Sequence, residues 1–503
     1  MMGTKKRSFG PLCNRSLETL VPAGHFYRHL HTALDLTFVR DLVRSTYKVC
    51  GRPSIDPVVF FKLQLVMFFE GLRSERELVR VAAERLSVRW YLGYDLDEAL
   101  PDHSSLTRMR QRYGVAVFRR FFEAIVAQCQ AAGLVWGKEL YFDATQVKAN
   151  ASLDSIAPRF AVEAHLGELF TEEDAVEPAP AENERQPIEL PVPISEAERE
   201  QFARFNEERH DWLARDGAPD RTITRTGYRR RSDFEASTTD PDAALMAVKN
   251  GGLHFGYHDH YAVDGGKARI IREVLVTPAD VMENQPVLDM LWRTCFRWQI
   301  RPDQVTGDTT YGTVENIVAV EDQQIHASVP LPDFDQRTPF YGASRFTYDP
   351  ERDEYRCPQD HALREGVVVY QADAATCNAC PLKAACTKSS QGRQVRRSLY
   401  AEYLGRVRAY HESAAYEEAM AKRKVWVEPL FGEAKDWHGL SRFRLRRLWK
   451  VNVEALLIAT GQNLKRVLRK RGWGRRPWPH GTPEAPLARR SLPQPLSWSP
   501  SPV

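Results

Sequence analysis

Glu139-Leu140-Tyr141-Phe142-Asp143 is the stretch at which the pattern of the chain changes. Its three apolar residues end in a carboxylate, which predicts a short buried strand closed by an acid. Before it, apolar residues recur at the three-and-four spacing of helices, and after it strand and helix patterns alternate. The stretch therefore separates an all-helical opening domain from an α/β domain.

The helical pattern of the opening domain runs from about Leu20 to Val135, and Pro57 suits the first turn of one of its helices. A later helix follows Pro101, with Asp102 as its expected cap. That helix carries three arginines that could bind DNA as part of a helix-turn-helix, Arg108, Arg110 and Arg112. An ordinary surface helix with a solvated basic face is an equally good interpretation.

The second domain begins with a predicted hairpin that turns at Gly265-Gly266. The strands and helices expected here are strands 257–264 and 269–276, a helix at 282–298, a strand at 304–306, a helix at 313–322 and a strand at 326–330. Such alternation is typical of a sheet covered by helices.

Two inserts and a tail interrupt this pattern. One insert contains an acidic, proline-rich stretch at 171–193, a charged helix at 195–215 and a basic stretch at 221–231, as expected of a partly flexible arm. The predicted organisation is a helical DNA-binding or assembly domain at 1–135, the first part of the core at 136–335 with the arm at 154–250, a cysteine-rich insert at 336–400, the last core helices at 401–470, and a disordered, basic, proline-rich tail at 471–503.

Composition limits the functional classes. The 503 residues are 43% hydrophobic with a net charge of +4, enough for more than one core but too mildly basic to indicate a nucleic-acid partner alone. No apolar run reaches the length of a membrane helix, and the polar start is unlike a signal peptide, so we expect a cytoplasmic protein with no membrane partner. Four of the 8 cysteines crowd into 357–386, which in the cytoplasm favours a metal over disulfides.

Two carboxylates are expected to meet at neighbouring strand ends. Asp143 ends one strand, and Asp308 ends another just after Gly307. Like charges held close together repel unless a divalent cation lies between them, which indicates magnesium. The alternative for each acid is a turn or a helix cap.

A third acid can come from a later helix. Glu428 and Lys435 are seven residues apart and share one helix face, as a metal ligand and a phosphate-binding cation would. Glu433 is a rival to Glu428, and spacing alone does not choose between them. Three oxygen ligands could hold two Mg²⁺ or Mn²⁺ ions for phosphodiester cleavage and strand transfer.

The cysteine-rich insert offers a second kind of metal site. Its thiols suit a tetrahedral structural zinc, with His361 as a substitute ligand, and they are Cys357, Cys377, Cys380 and Cys386. The alternative is a set of reduced cysteines in a loop-rich insert held by the packing of Tyr355 and Tyr370. Three nearby histidines are interpreted as ordinary strand residues, His254, His258 and His260.

Basic residues also cluster after the glutamate helix. We expect them to contact the DNA backbone, and the candidates are Arg442, Arg444, Arg446, Lys465 and Arg466. A solvated basic face is the alternative.

These segments resemble the DDE transposases of bacterial insertion sequences. The similar strings are Gly51 to Pro57, Gly71 to Leu78, Arg89 to Gly93, Phe142 to Ala151, Gly307 to Gly312 and Val427 to Gly432. The resemblance implies a ribonuclease H-like core in which Asp143, Asp308 and Glu428 are the catalytic acids. It further implies that Lys435 binds phosphate, that Arg423 is the associated basic residue, and that relatives carry a similar cysteine-rich insert.

The resemblance implies a function as well. The enzyme would cut the inverted repeats at the ends of its own element and join them to target DNA, working as a homo-oligomer on the nucleoid. The rivals are an inactive or repurposed DNA-binding protein and a nuclease that cuts without joining. This chain departs from its relatives at Arg446-Arg447-Leu448, where the second residue is usually glycine, and in the spacing between Arg423 and Glu428.

Overall fold

The computed structural model describes residues 16–47, 54–158, 162, 235–247, 252–332, 335, 339–364 and 369–474. Several sequence expectations lie outside these residues. They are the string Gly51 to Pro53, the acidic, helical and basic stretches of the arm at 171–231, and the tail beyond residue 474.

The N-terminal part is helical, as predicted. Its helices are α1 (Leu17–Leu20), α2 (Phe26–Ala33), α3 (Val39–Val43), α4 (Pro57–Phe69), α5 (Glu75–Glu84), α6 (Leu86–Leu92) and α7 (His103–Ala131). Asp56 caps α4 before Pro57, and Asp102 caps α7 by accepting from the Ser104 N–H at 2.8 Å. Gly114 breaks the helical backbone of α7 with φ at 61°. The structure thus confirms Asp102 as the predicted cap of α7.

A mixed sheet forms the centre of the molecule. Its strands are β1 (Glu139–Lys148), β4 (Ala244–Ala247), β5 (Leu253–Asp264), β6 (Ile271–Pro278), β7 (Gln304–Thr306) and β8 (His326–Ser328), while β2 (Ile156–Pro158) and β3 (Glu235–Ser237) pair separately. β5 lies between β1 and the pair β4 and β6, antiparallel to all three, whereas β1, β7 and β8 are mutually parallel. The predicted hairpin is therefore confirmed as β5 and β6.

Helices cover both faces of this sheet. They are α8 (Val287–Trp298), α9 (Val314–Asp322), α12 (Ala401–Tyr410), α13 (Ala414–Trp426), α14 (Glu428–His438) and α15 (Leu448–Lys470). Leu140, Phe142 and Ala262 face a core shared with α8 and α9. The opposite face joins α14, α15 and the N-terminal helices in one larger core. The first helix of this set begins at Val287 rather than Met282, because Pro286 forms its N-cap.

The last helix, α15, packs against β6, α4 and α7. The side-chain amide of Asn463 accepts from the Ile271 N–H and donates to its carbonyl, at 3.0 and 2.9 Å. Asn452 makes the same pair of bonds with Val276, at 2.9 and 3.0 Å. These amides satisfy backbone groups on the side of β6 that faces away from β5, where backbone pairing would otherwise be missing.

A buried ion network joins the N-terminal helices to the core. Glu123 of α7 accepts from Arg293 and Arg297 of α8, each at 2.9 Å. Arg293 also pairs with Glu273 of β6 at 3.1 Å, and Arg119 of α7 reaches the same glutamate. Because the charges are paired and buried, removal of one partner would leave an uncompensated charge inside the protein.

The cysteine-rich insert contains a five-stranded sheet instead of the loops considered from the sequence. Its strands are β9 (Thr347–Asp349), β10 (Glu354–Arg356), β11 (Ala362–Arg364), β12 (Val369–Ala372) and β13 (Gln394–Arg396), with short helices α10 (Ala374–Asn378) and α11 (Lys383–Cys386). Tyr355 and Tyr370 pack edge to face, with ring centroids 5.1 Å apart.

Within the described residues, no helix is long and apolar enough to cross a membrane.

Arg447 lies at the turn before α15, the position at which the sequence departs from the pattern that the resemblance implies. Its φ is 78°, a conformation that L residues rarely adopt. Its N–H donates to Asp240 at 2.8 Å, and its Nε lies 3.7 Å from Asp242, so the turn is held despite the strain.

We predict that Arg447→Gly stabilises the protein by about 1 kcal/mol, because glycine adopts this backbone conformation without strain while the N–H bond to Asp240 is retained. Urea unfolding of the full chain measures the change. Arg446→Gly is the control, since Arg446 is not among the positive-φ residues and glycine there should be neutral or destabilising. A lower unfolding midpoint for Arg447→Gly than for the wild type would contradict the prediction.

Candidate active site

Asp143 and Asp308 reach the same edge of the sheet. β1 and β7 run parallel with Tyr141 opposite Thr306, and each aspartate lies two residues further along its chain. Asp143 is 9% exposed. Asp308 is more accessible and also caps the next turn by accepting from the Thr310 N–H at 2.8 Å. The capping role considered from the sequence is therefore present at Asp308 together with its place beside Asp143.

Arg423 links the two acids. Its guanidinium donates to Asp143 at 3.2 Å and lies 3.7 Å from an oxygen of Asp308. The pKa of Asp143 is raised to about 6 as the net result of three effects: burial raises it most, the negative charge of Asp308 adds to the increase, and Arg423 opposes it. The arginine therefore offsets part of the repulsion between the two carboxylates. From the sequence, a divalent metal cation was expected in this role.

Glu428 and Lys435 lie on α14, above the same face of the sheet. Lys435 donates to Thr145 at 2.6 Å, and Phe431 stacks on Tyr261, the cross-strand partner of Asp143. Since Glu428 is three residues before Phe431 and seven before Lys435, all three share one side of the helix. Glu428 itself is exposed at the first turn of α14.

Glu433, the rival acid, is engaged elsewhere. It accepts from Lys465 at 2.8 Å and from Arg466 and Gln462 at 3.3 Å each. These partners belong to α15, so Glu433 joins α14 to α15. The contacts of Glu433 therefore lie with α15 and not with Asp143.

Glu283 is an acid that the sequence did not single out. It lies in the turn between β6 and α8, 3.9 Å from a ring nitrogen of His258. The pKa of Glu283 is raised to about 7, chiefly by burial and in addition by the negative charges of Asp308 and Asp143. Its short-range sequence has no strand-end pattern, and only the folded sheet brings it near the two aspartates.

Neither group of predicted metal ligands has the geometry of a metal site. In the part of the chain that the structure describes, no three His, Cys, Asp or Glu side chains lie close enough together to hold an ion. The acids do supply carboxylate oxygens, the donors that a hard cation prefers, and Asp143 and Asp308 already share one cationic neighbour, Arg423.

The four cysteines of the insert line one cavity of about 190 Å³ together with His361. They are unpaired thiols, Cys357, Cys377, Cys380 and Cys386. Burial raises the pKa of Cys386, and the other three cysteines raise it further, so their charges act on one another. A set of four soft donors around one cavity is chemically suited to zinc.

His258 and His260 are buried strand residues with partners inside the protein, as expected from the sequence. His258 bonds the Val281 carbonyl at 3.1 Å, and His260 bonds the Thr277 hydroxyl at 3.0 Å. Burial lowers the pKa of His260 to about 3, so it is neutral near pH 7.

The predicted DNA-binding side chains divide into two groups. The exposed ones are Arg108, Arg112, Arg442 and Arg446. Arg444 is half-buried and lies 3.8 Å from Glu75, and it lines an open groove with Arg446 and Lys450. By contrast, Arg110 is only 3% exposed and pairs with Glu75, and Lys465 and Arg466 bond Glu433. The structure thus gives Arg110, Lys465 and Arg466 internal partners where the sequence suggested free contacts to DNA.

We predict that Asp143→Asn stabilises the metal-free protein at pH 8 by roughly 1–3 kcal/mol. The pKa of Asp143 is raised in the folded state to about 6, so its stabilising, protonated form is fully present below about pH 4 and is lost as the pH rises through 6. The gain from asparagine should therefore disappear in acid. Thermal unfolding in chelator from pH 4 to 8 measures it, with the exposed Asp436→Asn as control. An equal effect at both pH values would contradict the assignment.

Comparison with known families matches two parts of the chain. Residues 15–112 match a family model described as a transposase domain, DUF772, and residues 355–468 match a transposase DDE domain. The second match contains Arg423, Glu428 and Lys435, whereas Asp143 and Asp308 lie between the two matches. No curated protein and no solved structure matches the chain. The two matches confirm the resemblance found in the sequence, since the chain carries a transposase domain near its N-terminus and a transposase DDE domain in its C-terminal part, as expected of an insertion-sequence DDE transposase.

Proposed function

We propose that this transposase cleaves DNA at the terminal inverted repeats of its element and transfers the freed 3′ ends to target DNA. The observation that carries the proposal is the meeting of Asp143 and Asp308 at the ends of parallel strands, both within reach of Arg423. An arginine alone would form a structural ion pair, but Lys435 of α14 also bonds Thr145 of this sheet, and Glu428 lies seven residues before Lys435 on the same side of that helix.

We infer a ribonuclease H-like core for the catalytic domain. A mixed sheet with β5 reversed, two acids on adjacent parallel strands and a third acid on a late helix support this assignment. The two inserts would then be additions to one core, since the strands on both sides of the arm pair directly in β1 and β5.

Asp143, Asp308 and Glu428 would hold one or two Mg²⁺ or Mn²⁺ ions. When bound, the metal would activate water or a 3′-hydroxyl and stabilise the leaving oxygen in an in-line displacement at phosphorus. The carboxylates would have to be ionised, and Arg423 already opposes the protonation of Asp143. With metal bound, Arg423 would be free to turn toward phosphate.

Lys435 would contact the DNA backbone from the same helix side. Its ammonium is half-buried and bonded to the Thr145 hydroxyl, two residues beyond Asp143 on β1, so a phosphate bound there would lie beside the acids. The groove lined by Arg444, Arg446 and Lys450 would extend this contact along the duplex.

Double-stranded DNA is therefore the proposed partner, both as terminal repeat and as target. Cleavage of two ends followed by joining requires them to be held together, so we propose a homo-oligomer in the synaptic complex. The work would take place on the nucleoid in the cytoplasm. We propose a structural zinc in the cysteine cavity of the insert.

We predict that wild-type protein cuts a duplex carrying the element's terminal repeat when Mg²⁺ is present and fails to do so in chelator. Asp143→Ala, Asp308→Ala and Glu428→Ala should each lower the rate by at least about 1,000-fold without loss of binding, because each removes a metal ligand. Gel analysis of cleavage and a mobility-shift assay of binding give the two measurements.

Glu417→Gln, an exposed glutamate of the preceding helix, is the matched control and should retain activity. Specific binding without cleavage by the wild type would favour a DNA-binding protein that has lost catalysis. Supply of pre-cut ends with a target plasmid separates a transposase from a nuclease, because only the transposase joins them.

We predict about one zinc ion per chain in protein purified from zinc-supplemented cells. Cys380→Ser should remove most of it and lower the thermal unfolding temperature, because one of four thiolate ligands is lost. Cys295→Ser, a half-buried cysteine of α8, is the control and should keep the metal. A metal analysis that finds no zinc in the wild type would refute the proposed site.

A further inference from the structure

Asp259 is a buried carboxylate without hydrogen-bond partners. It lies in the middle of β5, is 0% exposed, and neither carboxylate oxygen has a partner among the described residues. Burial raises the pKa of Asp259 well above its usual range. A charged group in such a place is costly unless another charge compensates it, so its presence requires an explanation.

The compensating cation is Lys435. Of the charged groups, its ammonium is the one that lowers the pKa of Asp259, and Asp259 in turn raises the pKa of Lys435 against the effect of burial. The two residues are connected through Thr145. Asp259 is the cross-strand partner of Thr145, and the Thr145 hydroxyl accepts from Lys435 at 2.6 Å.

This row of side chains lies next to the acids. Asp143 and Thr145 are two residues apart on β1, so they point to the same face of the sheet, and their partners Tyr261 and Asp259 point there too. The lysine that we place at the phosphate is therefore anchored on the strand pair that carries the first catalytic acid.

We propose that Asp259 is the positioning residue of Lys435 and holds its ammonium beside Thr145, where it meets the phosphate next to Asp143. The inference rests on the proposed function, in which Lys435 binds DNA. A lysine side chain has four rotatable bonds and many rotamers, whereas the short side chain of an aspartate in a central strand is held close to the backbone. Lys435 favours the ionised form of Asp259 against the effect of burial, and the resulting negative charge, fixed on the strand, gives the flexible cation one preferred place.

The pairing can be tested without DNA. Thermal unfolding of the full chain at pH 8 is measured for wild type, Lys435→Met, Asp259→Asn and the double variant. Lys435→Met should lower the unfolding temperature by several degrees in the wild-type background, because it leaves the carboxylate uncompensated, and should have little effect in the Asp259→Asn background. Additive shifts would overturn the pairing.

The positioning role is tested with the terminal-repeat duplex in chelator, where binding is measured against salt concentration. Lys435→Met should reduce the slope of log affinity against log salt by about one, as expected for one lost phosphate contact. Asp259→Asn should reproduce this reduction, and the double variant should add nothing. Asp264→Asn is the control, an equally buried aspartate of β5 that accepts from the Trp136 and Gly137 N–H groups and does not contact the lysine.

The outcomes separate the two proposals. A wild-type slope in Asp259→Asn, with a reduced slope in Lys435→Met, would leave the phosphate contact in place and overturn the role of Asp259. An unchanged slope in Lys435→Met would contradict the proposed phosphate contact itself, and the positioning role would fall with it.

Discussion

The hydrogen bonds that fix α15 to the outer side of β6 are the constraint on which the rest of the structure depends. Two asparagines of one helix bond backbone groups of one strand, and their spacing fits both elements. Asn452 and Asn463 are eleven residues apart, about 16.5 Å along a helix, and Ile271 and Val276 are five apart, about 16.5 Å along a strand. The match fixes the helix in register with the strand, so it cannot slide without breaking both pairs of bonds.

Much else follows from the position of that helix. Of its 23 residues, 16 are buried, and they fill the space between the sheet and the N-terminal helices. Gly461 allows α4 to approach α15 closely, because a Cβ there would lie 2.4 Å from the ring of Phe68. Lys465 and Arg466 then hold Glu433, which sets the rotation of α14 and turns Phe431 and Lys435 toward the sheet. Thus α15, which contributes no residue to the proposed set of catalytic acids, orients the helix α14 that carries Glu428 and Lys435.

Local patterns in the sequence predicted the features that depend on neighbouring residues. The apolar run before Asp143, the glycine before Asp308 and the cap at Asp102 are all signals within a few positions. The choice of Glu428 over Glu433 came only from the resemblance, because the partners of Glu433 are about thirty residues away on another helix. Glu283 and Asp259 could not be found in this way, since their significance lies in contacts made across the sheet. The strands of the insert, three or four residues long, are also too short to show a period.

The burial of α15 also has a consequence for how the protein is made. A ribosome releases this helix after nearly all of the described chain, yet the N-terminal helices, made first, share one core with it. Until α15 has been synthesised, apolar side chains of those helices and backbone groups on the outer side of β6 remain exposed to solvent. In that state they are accessible to chaperones and proteases. A premature stop before residue 448 would therefore not yield a smaller DNA-binding protein, but a fragment whose first domain lacks the last part of its own core.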